Sequence, residues 1–176
     1  MDEAQGTSGR ETSESEVIIL AAVDNSKLAS LVVELAARAA RRMWSRSALH
    51  LLHVWRTSRF DRPSSAGFSR EELLREAKEF LSYQVKVAGR QATVPVTGHF
   101  AEGDPAYQIV RFARTMKADL LVVGTGDHGG LERFLVGSVA EKVSRHAPCP
   151  VLIVREKQRP YIRVESHDSP GDDDEP

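Results

Sequence analysis

A chain of 176 residues, 41% of them hydrophobic, suits one domain with a buried core, and its size disfavours two. Its 24 Lys plus Arg nearly balance 25 Asp plus Glu, so no global field draws it onto nucleic acid or an anionic membrane. The single Cys149 has no companion for a disulfide or a thiolate metal site; with no basic-then-apolar signal pattern and no run of spanning length in the sequence, the expected compartment is the reducing cytoplasm.

Residues 1–15 are rich in Ser, Gly and acids, as are residues 157–176, which close on GDDDEP. Both read as disordered tails flanking a domain over 16–156. Val17 to Val23 (VIILAAV) is apolar throughout, as a strand covered on both faces should be. Asp24-Asn25-Ser26 then offers a turn and a helix N-cap at Asp24. Leu28, Leu31, Val32, Leu35, Ala36, Ala39 and Met43 follow at helical spacing as a buried stripe. Ala48 to Val54 is the second strand, and Arg56 to Gly67 a long polar loop. Ser69 and Glu72 have capping-box spacing at the head of a second helix whose stripe is Leu73, Leu74, Ala77, Phe80 and Leu81.

Thr93 to Phe100 reads as strand three. Gly103-Asp104-Pro105 gives a turn, an N-cap and a proline in the first helical turn, and Ile109, Val110, Phe112, Ala113 and Met116 supply the third helix's apolar face. Asp119 to Val123 is strand four, Ser138 to Arg145 helix four, and Val151 to Val154 strand five. This βαβαβαβαβ order predicts an α/β fold: one five-stranded parallel sheet with helices on both faces. Such sheets bind ligands at the carboxyl ends of their strands, near the point where strand order reverses. That rim carries Val23 to Ser26, His53 to Trp55, and the glycine-rich loop from Gly124 to Gly130.

The loop lies within VVGTGDHGGLERFLVGSVAE, residues 122–141. Glycines after a buried strand let backbone N–H groups turn toward an anion, and the next helix adds its free N–H groups, its dipole and the Ser138 hydroxyl. The same glycines can equally serve only to shape a turn. The chain has no Gly-Lys-Ser/Thr. Gly124-x-Gly126-x-x-Gly129 matches the dinucleotide fingerprint formally, but it follows the fourth strand, and eight residues separate Gly129 from Ser138.

From Val17 to Arg155 the sequence resembles the universal stress proteins. The likeness rests on VIILAAVDNS, LHLLHVW, EGDPAYQIV and ADLLVVGTGDHGGLERFLVGSVAEKVSRHAPCPVLIVR, and on the spacing between them. It implies a Rossmann-like domain of the adenine nucleotide alpha hydrolase-like kind, usually homodimeric, acting in stress responses; some members bind ATP and others do not. In ATP-binding members the loop reads Gly-x2-Gly-x9-Gly-Ser/Thr. Aligning Gly137-Ser138 with the last pair puts Gly124 at the first glycine and Asp127 at the second. By resemblance, Asp24 and the backbone near Val54 meet the nucleoside, and Gly124, Gly137 and Ser138 the phosphates. Asp127 puts a negative charge beside the polyphosphate, unless Gly126 takes over after a one-residue shift or Asp127 reaches a Mg²⁺ ion on the phosphates.

His50 and His53, three apart in a strand, point to opposite faces and read as structural. His99 and His146 have no patterned partner, and no metal site is expected. His128 could face a phosphate, and Arg133 reads as surface. Strand five, Val151 to Val154, is an apolar edge, and the resemblance implies a homodimer built on it. Three functions follow: a nucleotide-responsive regulatory module, an interaction protein of the same fold without nucleotide, and, ranked last, an enzyme, since no nucleophile and base pair is evident.

Overall fold

In the computed structural model, residues 16–43, 46–56, 69–126 and 137–155 are described. The expected tails, most of the loop after Arg56, and Asp127, His128 and Arg133 lie outside them. Nine elements alternate: β1 (Val17–Ala22), α1 (Ala29–Met43), β2 (Ser47–Trp55), α2 (Arg70–Ala92), β3 (Val96–Glu102), α3 (Pro105–Met116), β4 (Leu120–Gly124), α4 (Ser138–His146) and β5 (Val151–Val154). The strands form one all-parallel sheet in the order β3-β2-β1-β4-β5.

β1 and β4 are apolar throughout, and β2 carries its leucines between Ser47, His50 and His53, because both faces of these strands are covered. Ile19, Ala21, Leu49, Leu51 and Val122 join a cluster with α1 and α2; Leu20, Leu52, Leu121 and Val123 join another with α3 and α4. Leu49, Leu51 and Leu52 are fully buried, and each stabilises the fold by roughly 1.5–3 kcal/mol relative to an exposed side chain. Helix α1 meets the sheet through Val32, Val33, Ala36, Ala37 and Ala40, and these small side chains leave room for close approach. Met43, expected on that stripe, is 62% exposed: it is the last residue of α1, beyond the core cluster, whose α1 members end at Ala40.

Local signals fix the starts of the helices. Ser69 Oγ accepts from the Glu72 N–H at 3.2 Å while the Glu72 carboxylate accepts from the Ser69 N–H at 2.7 Å, the expected capping box. Asp104 caps α3 through the Tyr107 N–H at 2.9 Å, with Pro105 in the first turn. Asp24 is not the cap of α1. Its Oδ1 accepts from the Ser26 N–H at 3.1 Å, and Ser26 Oγ accepts from Leu28 N–H at 3.3 Å, so two short side-chain turns deliver the chain to Ala29. Thr93, expected to open strand three, caps the C-terminus of α2 in the left-handed region (φ 57°, ψ 18°), and β3 starts at Val96. Helix α2 runs on to Ala92 because Ala88 and Ala92 extend its buried face.

Candidate functional site

The chain fills the sheet outward from β1 through β2 to β3, then returns to the other side of β1 with β4. Strand order therefore reverses between β1 and β4, and there the loops at the strands' carboxyl ends part. A cleft of about 390 Å³ opens at that point, within the range of small-molecule sites. Asp24, Val54, Gly124, Gly126, Gly137 and Ser138 all line it.

Each arrives by a different route. Asp24 follows β1 and is exposed; Val54 lies near the end of β2, paired with Ala101 of β3. Behind the first of these, His53 is 5% exposed and its Nδ1 donates to the Val23 carbonyl at 2.8 Å, while its ring packs against Phe80 and Phe100. Gly124 ends β4. A Cβ there would make ordinary contact with Val32 Cγ2 at 3.4 Å and Leu28 Cβ at 3.5 Å. Gly126 has φ +80°, where glycine is unstrained and other residues are not.

Gly137 is the N-cap of α4 and has no side chain with which to bond the first turn. The N–H groups that open a helix have no partner within it, and they carry the positive end of the dipole. At α4 these groups belong to Ser138 and its successors at the cleft wall, beside the Ser138 hydroxyl. The Gly137 N–H itself is bonded to Thr125 O at 3.1 Å, and the Thr125 N–H to Val154 O at 3.0 Å. The arrangement can accept an anion at α4 and hydrogen-bond a polar ligand at Asp24.

Sequence reasoning missed Arg56, Thr125, Pro105 and Ile109, all of which line the cleft. Two-residue periodicity could have placed Arg56 on the face of Val54, whereas Pro105 and Ile109 arrive through the packing of α3 across the sheet. Among the described lining residues, Arg56 and Asp24 are the charged ones.

The other described histidines lie elsewhere. His50 and His53 do point to opposite faces, but His99 has a partner: His50 Nδ1 and His99 Nε2 are 2.9 Å apart, and His99 packs against Phe112 of α3. Sequence could not show this, because parallel pairing sets His99 opposite Leu52, diagonal to His50. Burial, then the neighbouring His99, lowers the His50 pKa, with Glu16 opposing; burial lowers that of His99. His146 Nδ1 donates to Lys142 O at 2.8 Å. Cys149 is half-buried, and burial and then Asp119 push its thiol pKa up, away from the reactive thiolate. Among the described residues no cluster of three or more metal-ligating side chains occurs, and no helix is long and apolar enough to cross a membrane.

A doubly wound sheet with a glycine-lined crevice at its switch point defines a Rossmann-like α/β protein. Residues 18–155 match the model of the Universal stress protein family, and the chain belongs to that family. It is 44% identical over 88 residues to a universal stress protein of Methanocaldococcus jannaschii, covering 50% of this chain and about half (52%) of that relative. Against Universal stress protein YxiE of Bacillus subtilis it is 30% identical over 147 residues, or 78% of this chain and 97% of the relative. Universal stress protein UspA from Lactobacillus plantarum superposes with a TM-score of 0.66 at 26% identity, covering 79% of this chain and 97% of that one. A universal stress protein from Archaeoglobus fulgidus, solved in complex with dAMP, does so with a TM-score of 0.56 at 28% identity, over 79% and 97% of the two chains.

Proposed function

We propose that this chain is a regulatory module of the cytoplasm whose cleft takes an adenine nucleotide, ATP foremost, and whose occupancy alters its shape or partners. The observation that carries the reading is the convergence on one cleft of Asp24, Val54, Gly124, Gly126, Gly137 and Ser138, with the uncapped first turn of α4 among them. Asp24 and the backbone at Val54 would hold the nucleoside. Gly124, Gly126, Gly137 and the Ser138 hydroxyl would receive the phosphates, with Arg56 supplying the one positive side chain among the described lining residues. Among the described lining residues Asp24 is the one carboxylate, and Mg²⁺ would arrive on the phosphates. That an Archaeoglobus fulgidus relative was solved in complex with dAMP supports an adenine nucleotide as the ligand. The edge of β5, where Leu152 is 39% exposed, would join two copies into a homodimer.

One sequence feature favours a second reading, that of an interaction protein of the same fold without nucleotide: Asp127 stands where ATP-binding relatives have glycine. Calorimetric titration of ATP, with and without Mg²⁺, into nucleotide-stripped protein separates the two. Micromolar binding supports the nucleotide module. No heat up to millimolar ATP in folded protein transfers the reading to the interaction protein.

A further inference from the structure

Charge is distributed unevenly along this nearly neutral chain. Residues 1–15 hold Asp2, Glu3, Glu11 and Glu14 against Arg10, a net −3, and residues 156–176 hold seven acids against three bases, a net −4. With the whole chain at −1, residues 16–155 carry +6. Much of that charge lies on one rim. Because all strands are parallel and each helix returns antiparallel to them, every helix C-terminus lies at the amino ends of the strands, on the rim opposite the cleft.

Arg41, Arg42 and Arg46 lie there from the end of α1 and the approach to β2, Arg90 from α2, Arg114 and Lys117 from α3, and all are exposed. Among the described residues none of these six has an acid within 4.0 Å. Among the described residues the rim's acids are Glu16 and Asp119, and Asp119 is engaged by the Ile18 N–H at 2.8 Å. Positive side chains at helix C-termini answer the helix dipole, which explains one or two per helix. It does not explain why acids are so scarce between them.

The route of the chain supplies the missing acids. β1 is the central strand, so Glu16 and Val17, to which residues 1–15 are joined, lie in the middle of this rim. Glu11 and Glu14 lie within six residues of Val17, hence within about 20 Å of it even at full extension. The acidic C-terminal residues are instead joined to Arg155, which follows β5 at the cleft rim. We propose that the N-terminal segment, Asp2 to Glu14, docks on the basic rim and masks it, so that displacing the segment uncovers a polyanion-binding face.

The test compares heparin binding by three forms of the full chain at pH 8 and low salt: wild type, D2N/E3Q/E11Q/E14Q, and D172N/D173N/D174N/E175Q. Both variants remove four negative charges, but from segments attached to opposite rims. Masking predicts that the N-terminal variant binds heparin about tenfold tighter than the C-terminal one, with a steeper salt dependence, because rim cations are released. R41Q/R42Q added to the N-terminal variant removes most of that gain. Equal gains for the two quadruple variants would show net charge alone at work and overturn the proposal, as would no gain for the N-terminal variant or a gain that survives R41Q/R42Q.

Discussion

Replacing His53 with Phe tests how the floor of the cleft is held. The replacement keeps an aromatic ring, one atom larger, against Phe80 and Phe100, but the 2.8 Å bond from Nδ1 to the Val23 carbonyl is lost. Val23 is 3% exposed and His53 5%, so water has little access to replace the donor. A buried acceptor left without its partner costs roughly 1–3 kcal/mol, which in a domain of this size lowers Tm by about 2–4 °C per kcal/mol. Urea unfolding should show that loss as a lower midpoint with an unchanged slope. His53→Asn, whose side-chain amide N–H can reach near the Nδ1 position, should recover part of it. Because the peptide after Val23 carries Asp24 into the cleft, ligand affinity should fall in H53F and recover in H53N in parallel. A loss below about 0.5 kcal/mol in H53F, the level of an ordinary surface change, would refute the assigned role.

Stability should also fall in acid. The His50 and His99 pKa values are lowered in the fold, so the unfolded chain binds more protons as pH falls through the ordinary imidazole value of 6.5; their contribution is complete above that value and declines below it. Urea midpoints from pH 8 to pH 5 should show the decline, and H50N/H99N should flatten it. Gly98→Ala should cost about 1–3 kcal/mol, since its Cβ would come within 2.7 Å of the stiff Val85 Cγ2, and Val85→Ala should relieve that cost in a double-mutant cycle. If the cleft takes ATP, Asp127→Gly should tighten binding about fivefold, the equivalent of removing on the order of 1 kcal/mol of charge repulsion; unchanged or weaker calorimetric affinity would discount that role for Asp127.

Features built from neighbours in the chain were readable in advance. Ser69 with Glu72, and Asp104 with Pro105, each complete a bonding pattern within four residues, and the structure contains both. The rim residues were equally legible, because a βα alternation fixes which ends of the strands converge. What sequence did not show depends on contacts between distant elements. Asp24 looks like a cap by composition, yet Ser26 takes its carboxylate five residues ahead of α1. Thr93 has strand propensity, but the reversal after α2 needs a left-handed residue at that position. The His50 and His99 pair joins positions 49 residues apart, and no local period announces it.

The edge of the sheet and the mouth of the cleft are mechanically one piece. From Val154 on the outermost strand, one hydrogen bond leads to Thr125, a second leads to Gly137, and Gly137 O receives the Glu141 N–H inside α4. Three backbone bonds thus connect a surface suited to receiving another strand with the helix end suited to receiving an anion. If the cleft takes an anion and β5 pairs with a second copy, as proposed, any coupling carried along this series is reciprocal: whatever the anion does to strand association, strand association does in equal measure to the anion.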